Sequence, residues 1–472
     1  MHRFKFILPL LAALLLVPSA CLAAEHFHLP KDLSIFWVIP FVCMLLSIAI
    51  GPLACPHFWE HHFGKVAGFW GLAFLVPCAF AFGFGNALFL ALDSILLEYL
   101  PFILLLVALF TVAGGIRLKG SLVGTPVVNT GILALGTVIA SWMGTTGAAM
   151  LLIRPLLRAN AHRKYRVHQV VFFIFLVANI GGSLSPLGDP PLFLGFLKGV
   201  SFFWTTTHVF MLTVIASAIL LALYFVIDTM LFAKEGRPVP PSAANSSEKL
   251  GFEGNINFIF LLCIVINTLM SGQWEGPKFH IYGVEMEMQN VVRDMLYIVI
   301  AFLSWKMTDM GARTRNNFTW GPILEVAKLF IGIFLSMIPA IAILRAGHEG
   351  ALASLVNLTQ DAAGNPINAM FFWMTGALSS FLDNAPTYLV FFNTAGGDAA
   401  TLMTSGAATL TAISAGAVFM GANTYIGNAP NFMVKAISEE QGVKMPSFFG
   451  YMAWSVGILC PVFLLLTFMF FM

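Results

Sequence analysis

The sequence predicts an all-α polytopic membrane protein with about ten spans, two re-entrant hairpins, two broken helices and inverted structural repeats. Three observations carry that prediction. The 472 residues are 59% hydrophobic and 10% charged, with a mean hydropathy of +0.87, whereas a soluble domain carries about 25% charged residues. Apolar runs of about 20 residues, enough to cross a bilayer, recur along the chain. A short motif occurs twice, as Ser185-Pro186-Leu187-Gly188-Asp189-Pro190-Pro191 and Thr424-Tyr425-Ile426-Gly427-Asn428-Ala429-Pro430. Both copies read hydroxyl, two residues, Gly, Asp or Asn, one residue, Pro, and both interrupt an apolar helix.

The elements follow in order. His2, Arg3 and Lys5, an apolar stretch over residues 7–17 and the small residues around Cys21-Leu22-Ala23-Ala24 read as a signal peptide over 1–24; an uncleaved first helix is the other reading. Residues 25–90 hold N-terminal scaffold helices near 33–52 and 66–84. The first repeat, 91–233, comprises a span near 94–116, a hairpin over 125–158, a broken helix over 168–198 and a span near 202–233. Residues 234–254 form a cytoplasmic linker, because Arg237-Pro238-Val239-Pro240-Pro241-Ser242 and Asn245-Ser246-Ser247 build no packed element. Connecting helices occupy 255–320, with spans near 255–272 and 291–306. The second repeat, 321–472, comprises a span near 321–346, a hairpin over 368–395, a broken helix over 408–437 and a last span near 448–472. Each hairpin is inferred from a polar break inside an apolar segment: Gly144-Thr145-Thr146-Gly147 in the first, Asp383-Asn384-Ala385-Pro386-Thr387 in the second.

Lys and Arg set the orientation. With the mature N-terminus in the periplasm, most of them, including Arg154, Arg158, Arg163, Lys164, Arg166, Lys234, Arg237, Arg313, Arg315 and Lys435, fall on the cytoplasmic side. The spans 94–116 and 321–346 then run in opposite senses, so the repeats are inverted and the hairpins enter from opposite sides. A net charge of +2 and the absence of a basic cluster interleaved with aromatics give no indication of nucleic acid. No P-loop, nucleotide fingerprint or nucleophile with a base is present, so neither an enzyme nor a nucleotide-driven pump is expected, and no cofactor. The six cysteines are scattered without ligand spacing and read as buried thiols. His57-Phe58-Trp59-Glu60-His61-His62 reads as a solvated interfacial loop rather than a transition-metal cluster, with Trp59 and Trp70 in an aromatic belt.

Paired, interrupted hydrophobic segments in corresponding halves are the sequence pattern of a secondary transporter's binding site. Irregular backbone at membrane depth is tolerated only where it is buried in protein or lines a cavity. Its freed carbonyls suit Na⁺, and its half-helix N-termini suit an anion. Each tip with its facing break is expected to form one ion site: Thr145, Thr146, Asn179, Ser183, Ser185 and Asp189 in the first, and Ser380, Asp383, Asn384, Thr387, Asn423, Thr424 and Asn428 in the second. An ionised carboxylate at a helix centre costs ~2.5–3.5 kcal/mol, so Asp383 is expected to hold either Na⁺ or a proton; it also reads as an N-cap of the half-helix that follows. Asp189 carries the same two readings. Thr145 and Thr146 are read as standing where the second tip has its acid. Glu325 and Lys328, three apart on a helix, read as a local ion pair or as a charge coupled to Asp383. Asp93 and Glu98 read as interfacial.

The run Ser379-Ser380-Phe381-Leu382-Asp383-Asn384-Ala385-Pro386-Thr387 resembles the S-x-x-L-D-N-x-P signature of the ion transporter superfamily, which includes NhaD-type sodium:proton antiporters and the citrate and dicarboxylate carriers. The runs 421–432 and 185–193 resemble one branch of it, described either as sodium:proton antiporter or as putative citrate transport. The resemblance covers everything after the signal-like segment. It implies a homodimer in the bacterial inner membrane, a moving transport domain against a scaffold, and ions held at the hairpin tips. The dicarboxylate carriers have neutral tips at both sites, and Asp383 departs from that pattern. The expectation is therefore Na⁺/H⁺ antiport, with cation-coupled symport of citrate or another organic anion as the alternative.

Overall fold

Residues 27–120, 122–238 and 250–472 are described by the computed structural model; the signal-like segment 1–24 and linker residues 239–249 fall outside them. The chain is an all-α polytopic membrane protein, and among the described residues seven helices are long and apolar enough to cross a bilayer.

Helices α1 (Ile39–Ala54) and α2 (Pro56–Phe82) come first. Because α2 starts at Pro56, the histidine-rich run forms its first turns rather than a loop, and the His57 and His61 rings stack at 4.8 Å, as residues four apart on a helix do. Trp59 is buried, and Trp70 donates through Nε1 to Ser47 Oγ on α1 at 3.0 Å. Trp70 thus ties α2 to α1. Helix α3 (Phe84–Ala113) begins ten residues earlier than its apolar run suggested, and residues Ile95–Tyr99 within it form a π-helical turn. Asp93 and Glu98 therefore lie inside the helix, and Glu98 is ion-paired with Lys198.

The first hairpin is α4 (Pro126–Met143) and α5 (Thr145–Ala159). Thr125 caps α4 by accepting from Val128 N at 3.3 Å, and Pro126 sits where its missing N–H costs nothing. The reversal between the arms is made at Gly144, whose φ of +80° only glycine adopts freely. Helix α6 (Val167–Leu176), an irregular stretch and α7 (Pro190–Leu197) make the first broken helix, followed by α8 (Trp204–Lys234). The base of this hairpin is held by a buried polar network. Asp228 of α8 accepts from Arg163 Nη2 and His168 Nε2, each at 2.8 Å, from Asn129 Nδ2 at 2.9 Å and from Tyr224 OH at 3.3 Å. The Arg163 and Asp228 side chains are both 0% exposed.

The far end of the linker is structured: β2 (Gly251–Glu253) pairs antiparallel with β1 (Arg117–Lys119), and Glu253 accepts from both Arg117 and Arg315 at 3.1 Å. Then come α9 (Ile256–Ser271), the hairpin β3 (Lys278–Ile281) and β4 (Val284–Glu287), α10 (Met288–Met307), α11 (Met310–Arg315), α12 (Gly321–Arg345) and the short α13 (Ala353–Leu358). The second hairpin is α14 (Asn368–Phe381) and α15 (Asn384–Thr394); after α16 (Ala399–Met403), the second broken helix is α17 (Ala407–Met420) and α18 (Ala429–Glu440), and α19 (Phe448–Phe470) ends the chain.

Helices α1, α2 and α12 pack on one another. The hairpins and broken helices form a second group, whose pairing is reciprocal: α5 of the first hairpin packs on α18 of the second broken helix, and α15 of the second hairpin packs on α7 of the first. Such an exchange of equivalent partners is what a pseudo-two-fold relation between two repeats produces.

Candidate functional site

The two hairpin tips and two helix breaks meet at one carboxylate. Asp189 is 1% exposed. Its Oδ1 accepts from Thr145 Oγ1 at 3.0 Å and from Asn428 Nδ2 at 2.9 Å, and its Oδ2 accepts from Asn384 Nδ2. Thr145 opens α5 and Asn384 opens α15, while Asp189 caps α7 and Asn428 caps α18. Four half-helix N-termini thus converge. Each carries roughly half a positive charge, which, with the three donors, offsets the cost of a buried anion.

The local chain geometry repeats at a constant shift, the 239 residues that separate Asp189 from Asn428. Ser185 Oγ donates to Ser141 O, and Thr424 Oγ1 donates to Ser380 O. Ser141 Oγ donates to Gly181 O at 2.6 Å, and Ser380 Oγ donates to Met420 O at 3.1 Å. Leu184 N donates to Ser141 Oγ at 3.0 Å; the equivalent position, Asn423, uses its side-chain Nδ2 on Ser380 Oγ at 2.9 Å. The same shift corrects the pairing of the tips by one residue. Gly144, not Thr145 or Thr146, stands where the second tip has Asp383, and Thr145 is the counterpart of Asn384. Both of those side chains end on Asp189.

The residues expected to form two separate sites are therefore redistributed. Thr145, Asp189, Asn384 and Asn428 come together across the repeats. Asn179 joins them: its Oδ1 accepts from Asn428 Nδ2 at 3.2 Å, and its Nδ2 donates to Asn431 Oδ1 at 2.7 Å. Ser183 turns away to Thr213 Oγ1 at 2.6 Å, Thr387 bonds the Asp383 carbonyl at 3.0 Å, and Thr146 makes no hydrogen bond among the described residues. Ser141 and Asn431 were missed by sequence reading. Ser141 was findable as the counterpart of Ser380; Asn431, which donates to Gly421 O at 2.8 Å and Thr424 O at 2.9 Å, lies just past the motif.

Asp383 differs from Asp189 in kind. It is half-buried and caps α15, accepting from Ala385 N at 3.1 Å. That is the one hydrogen bond its carboxylate accepts among the described residues. Asn384 Oδ1 in the same tip, and Asn423 Oδ1 in the break bonded to that tip through Ser380, are buried without a donor among the described residues. An oxygen-rich, donor-poor corner of this kind matches the preference of hard cations for oxygen ligands.

Glu325 and Lys328 do not form the local ion pair expected of them. Both are exposed on α12 without a mutual ion pair among the described residues, and Lys328 Nζ lies 5.3 Å from the Phe63 ring centroid on α2. Lys328→Ala is accordingly expected to leave any ion exchange by the protein within about twofold of wild type, a ratio read directly in reconstituted liposomes; loss of coupling would restore Lys328 as a partner of Asp383.

A family model described as "Putative citrate transport" matches residues 30–471. No curated protein matches the sequence significantly.

Proposed function

The chain belongs to that citrate-transport family, and from this premise we propose that it is a secondary active transporter exchanging Na⁺ for H⁺, with Asp383 as the shared ligand. The observation that carries the reading is the pair of orphaned buried oxygens, Asn384 Oδ1 in the second tip and Asn423 Oδ1 in the break bonded to it, together with an Asp383 carboxylate in the same tip that has a single donor. Buried oxygen acceptors are rarely left unpaired, and a Na⁺ between them and Asp383 would satisfy all three groups. A proton on Asp383 would neutralise the same charge. Either occupant leaves the carboxyl neutral, so arrival of one releases the other. The protein would work in the bacterial inner membrane, as a homodimer with its mature N-terminus outside. Na⁺ and H⁺ are its cargo, and neither a cofactor nor a nucleotide is invoked.

A second reading has its own support. Four converging helix N-termini favour an anion, and the family description speaks of citrate. Under that reading Na⁺ would neutralise Asp383 and a substrate carboxylate would use the backbone amides of the helix N-termini.

Purified protein in liposomes, given a Na⁺ jump without organic anion while a dye reports internal pH, separates the two. Na⁺-dependent proton movement that falls at least tenfold in Asp383→Asn is the expected result. Folded protein that stays silent until citrate is added would replace antiport by symport.

A further inference from the structure

The two aspartates of the site have different hydrogen-bond economies, and the difference assigns them different work. A carboxylate only accepts hydrogen bonds. Asp189 has both oxygens occupied, Oδ1 by Thr145 and Asn428 and Oδ2 by Asn384, so it has little left to offer a cation. Its effect on Asn384 is specific. Facing an acceptor, the Asn384 amide must present Nδ2, and the planar amide then holds Oδ1 on the opposite side, where it is buried without a donor. Asn423 is oriented in the same manner by a different device. The Ser380 hydroxyl donates to Gly376 O at 2.7 Å and Met420 O at 3.1 Å, so it faces Asn423 as an acceptor, takes Nδ2 at 2.9 Å and leaves Oδ1 free.

We propose that Asp189 is a positioning residue: it does not ligate the transported cation but, from the first repeat, orients the Asn384 carbonyl oxygen of the second repeat toward it. The inference rests on reading the second tip as a cation site. It explains why Asp189 need not be matched by an acid at Asn428. One amide-orienting anion serves the one tip that carries Asp383, and the residue at the equivalent break has only to donate.

The test is Na⁺ binding to purified, folded protein, by equilibrium binding of radioactive Na⁺ with thermal unfolding as the check on folding; it needs no proton coupling. The double variant Asp189→Asn with Asn384→Asp is read first, because it keeps the same set of groups while moving the charge. The new amide donates, the new carboxylate accepts with one oxygen, and its other oxygen still faces the cation. Its Na⁺ affinity is expected within about threefold of wild type. Asp189→Asn alone removes the constraint on the Asn384 amide and is expected to weaken Na⁺ binding about tenfold. A folded double variant that binds no Na⁺ would show Asp189 to be a direct ligand and overturn the proposal, as would an Asp189→Asn protein with unchanged affinity. If wild-type protein itself shows no saturable Na⁺ binding, the cation reading fails and this inference fails with it; binding in wild type and loss in both variants removes the inference alone.

Discussion

Asp228→Ala is expected to destabilise the fold by about 3–5 kcal/mol, the range found when one member of a buried ion pair is removed. Arg163 and Asp228 are wholly buried, and Asp228 also accepts from His168, Asn129 and Tyr224. Its loss strands a guanidinium whose remaining acid is Glu235, with Nε–Oε2 at 3.3 Å, and leaves three further donors short of an acceptor. The four elements tied there are α4, the turn before α6, α6 itself and α8, so the damage falls on the base of the first hairpin. Asp228→Asn, which keeps an acceptor but removes the charge, should lose less. Thermal unfolding in detergent, followed by tryptophan fluorescence, reads the effect. Lys278→Ala, at a half-exposed surface pair, is the control, since exposed pairs contribute about 0–1 kcal/mol. A loss no larger than the control's would mean that the network carries little of the stability.

Gly188→Ala is expected to abolish folding of the site altogether. A Cβ at Gly188 would lie 2.1 Å from Gly182 O and 2.9 Å from the Ser141 Cα, and one at Gly427 would lie 2.5 Å from Gly421 O and 2.7 Å from Ser379 O. The obstacles are main-chain atoms of the broken helix and the hairpin, which cannot rotate aside as a side chain does. Overpacking usually costs about 1–3 kcal/mol; here the shift would pull apart the hydrogen bonds that hold the tip on the break, including Thr145 N to Gly188 O at 2.8 Å. Gly68→Ala is the matched control: it lies within α2, has nothing within 4 Å of the added methyl, and should gain up to about 1 kcal/mol from helix propensity. Monodispersity in size-exclusion chromatography, compared across Gly188→Ala, Gly427→Ala and Gly68→Ala, decides the matter; a monodisperse Gly188→Ala protein with wild-type melting would mean that the break is far more plastic than its contacts imply.

Much of the architecture was legible because it is written locally. Hydropathy located the long helices, and the Gly, Pro and Asp punctuation located both tips and both breaks: Gly144 turns the first hairpin, Asp383 caps the arm after the second, and Pro190 and Pro430 sit in the first turns after the breaks. What the sequence hid is long-range. Asp189 takes donors from residues 195 and 239 positions away, and no periodicity reports which break faces which tip. The one-residue error in pairing the tips arose for the same reason, because both tips are polar and only the contacts to Asp189 show which residues correspond. The start of α3 was misjudged because Gly83, Gly85 and Asn86 resemble a loop, yet the helix runs on from Phe84. Asp228 was readable as the one acid within a long apolar helix and was passed over, since its partners lie in three other elements.

The reciprocal packing bears on what half of this molecule could do. The first repeat holds Thr145 and Asp189, and the second holds Asp383, Asn384, Asn423 and Asn428. Neither contains a finished site: each tip is hydrogen-bonded to the break of its own repeat, but Asn384 of the second tip and Asn428 of the second break both donate to Asp189 of the first. A polypeptide of one repeat would have to pair with an antiparallel copy of itself to assemble the same junction, and in such a symmetric pair every aspartate would appear twice. Carrying both repeats in one chain lets the two copies differ, with an acid at one break, Asp189, and an amide at the other, Asn428. Two fragments of the chain, divided within residues 239–249 and produced together, should therefore rebuild the junction that either fragment alone lacks.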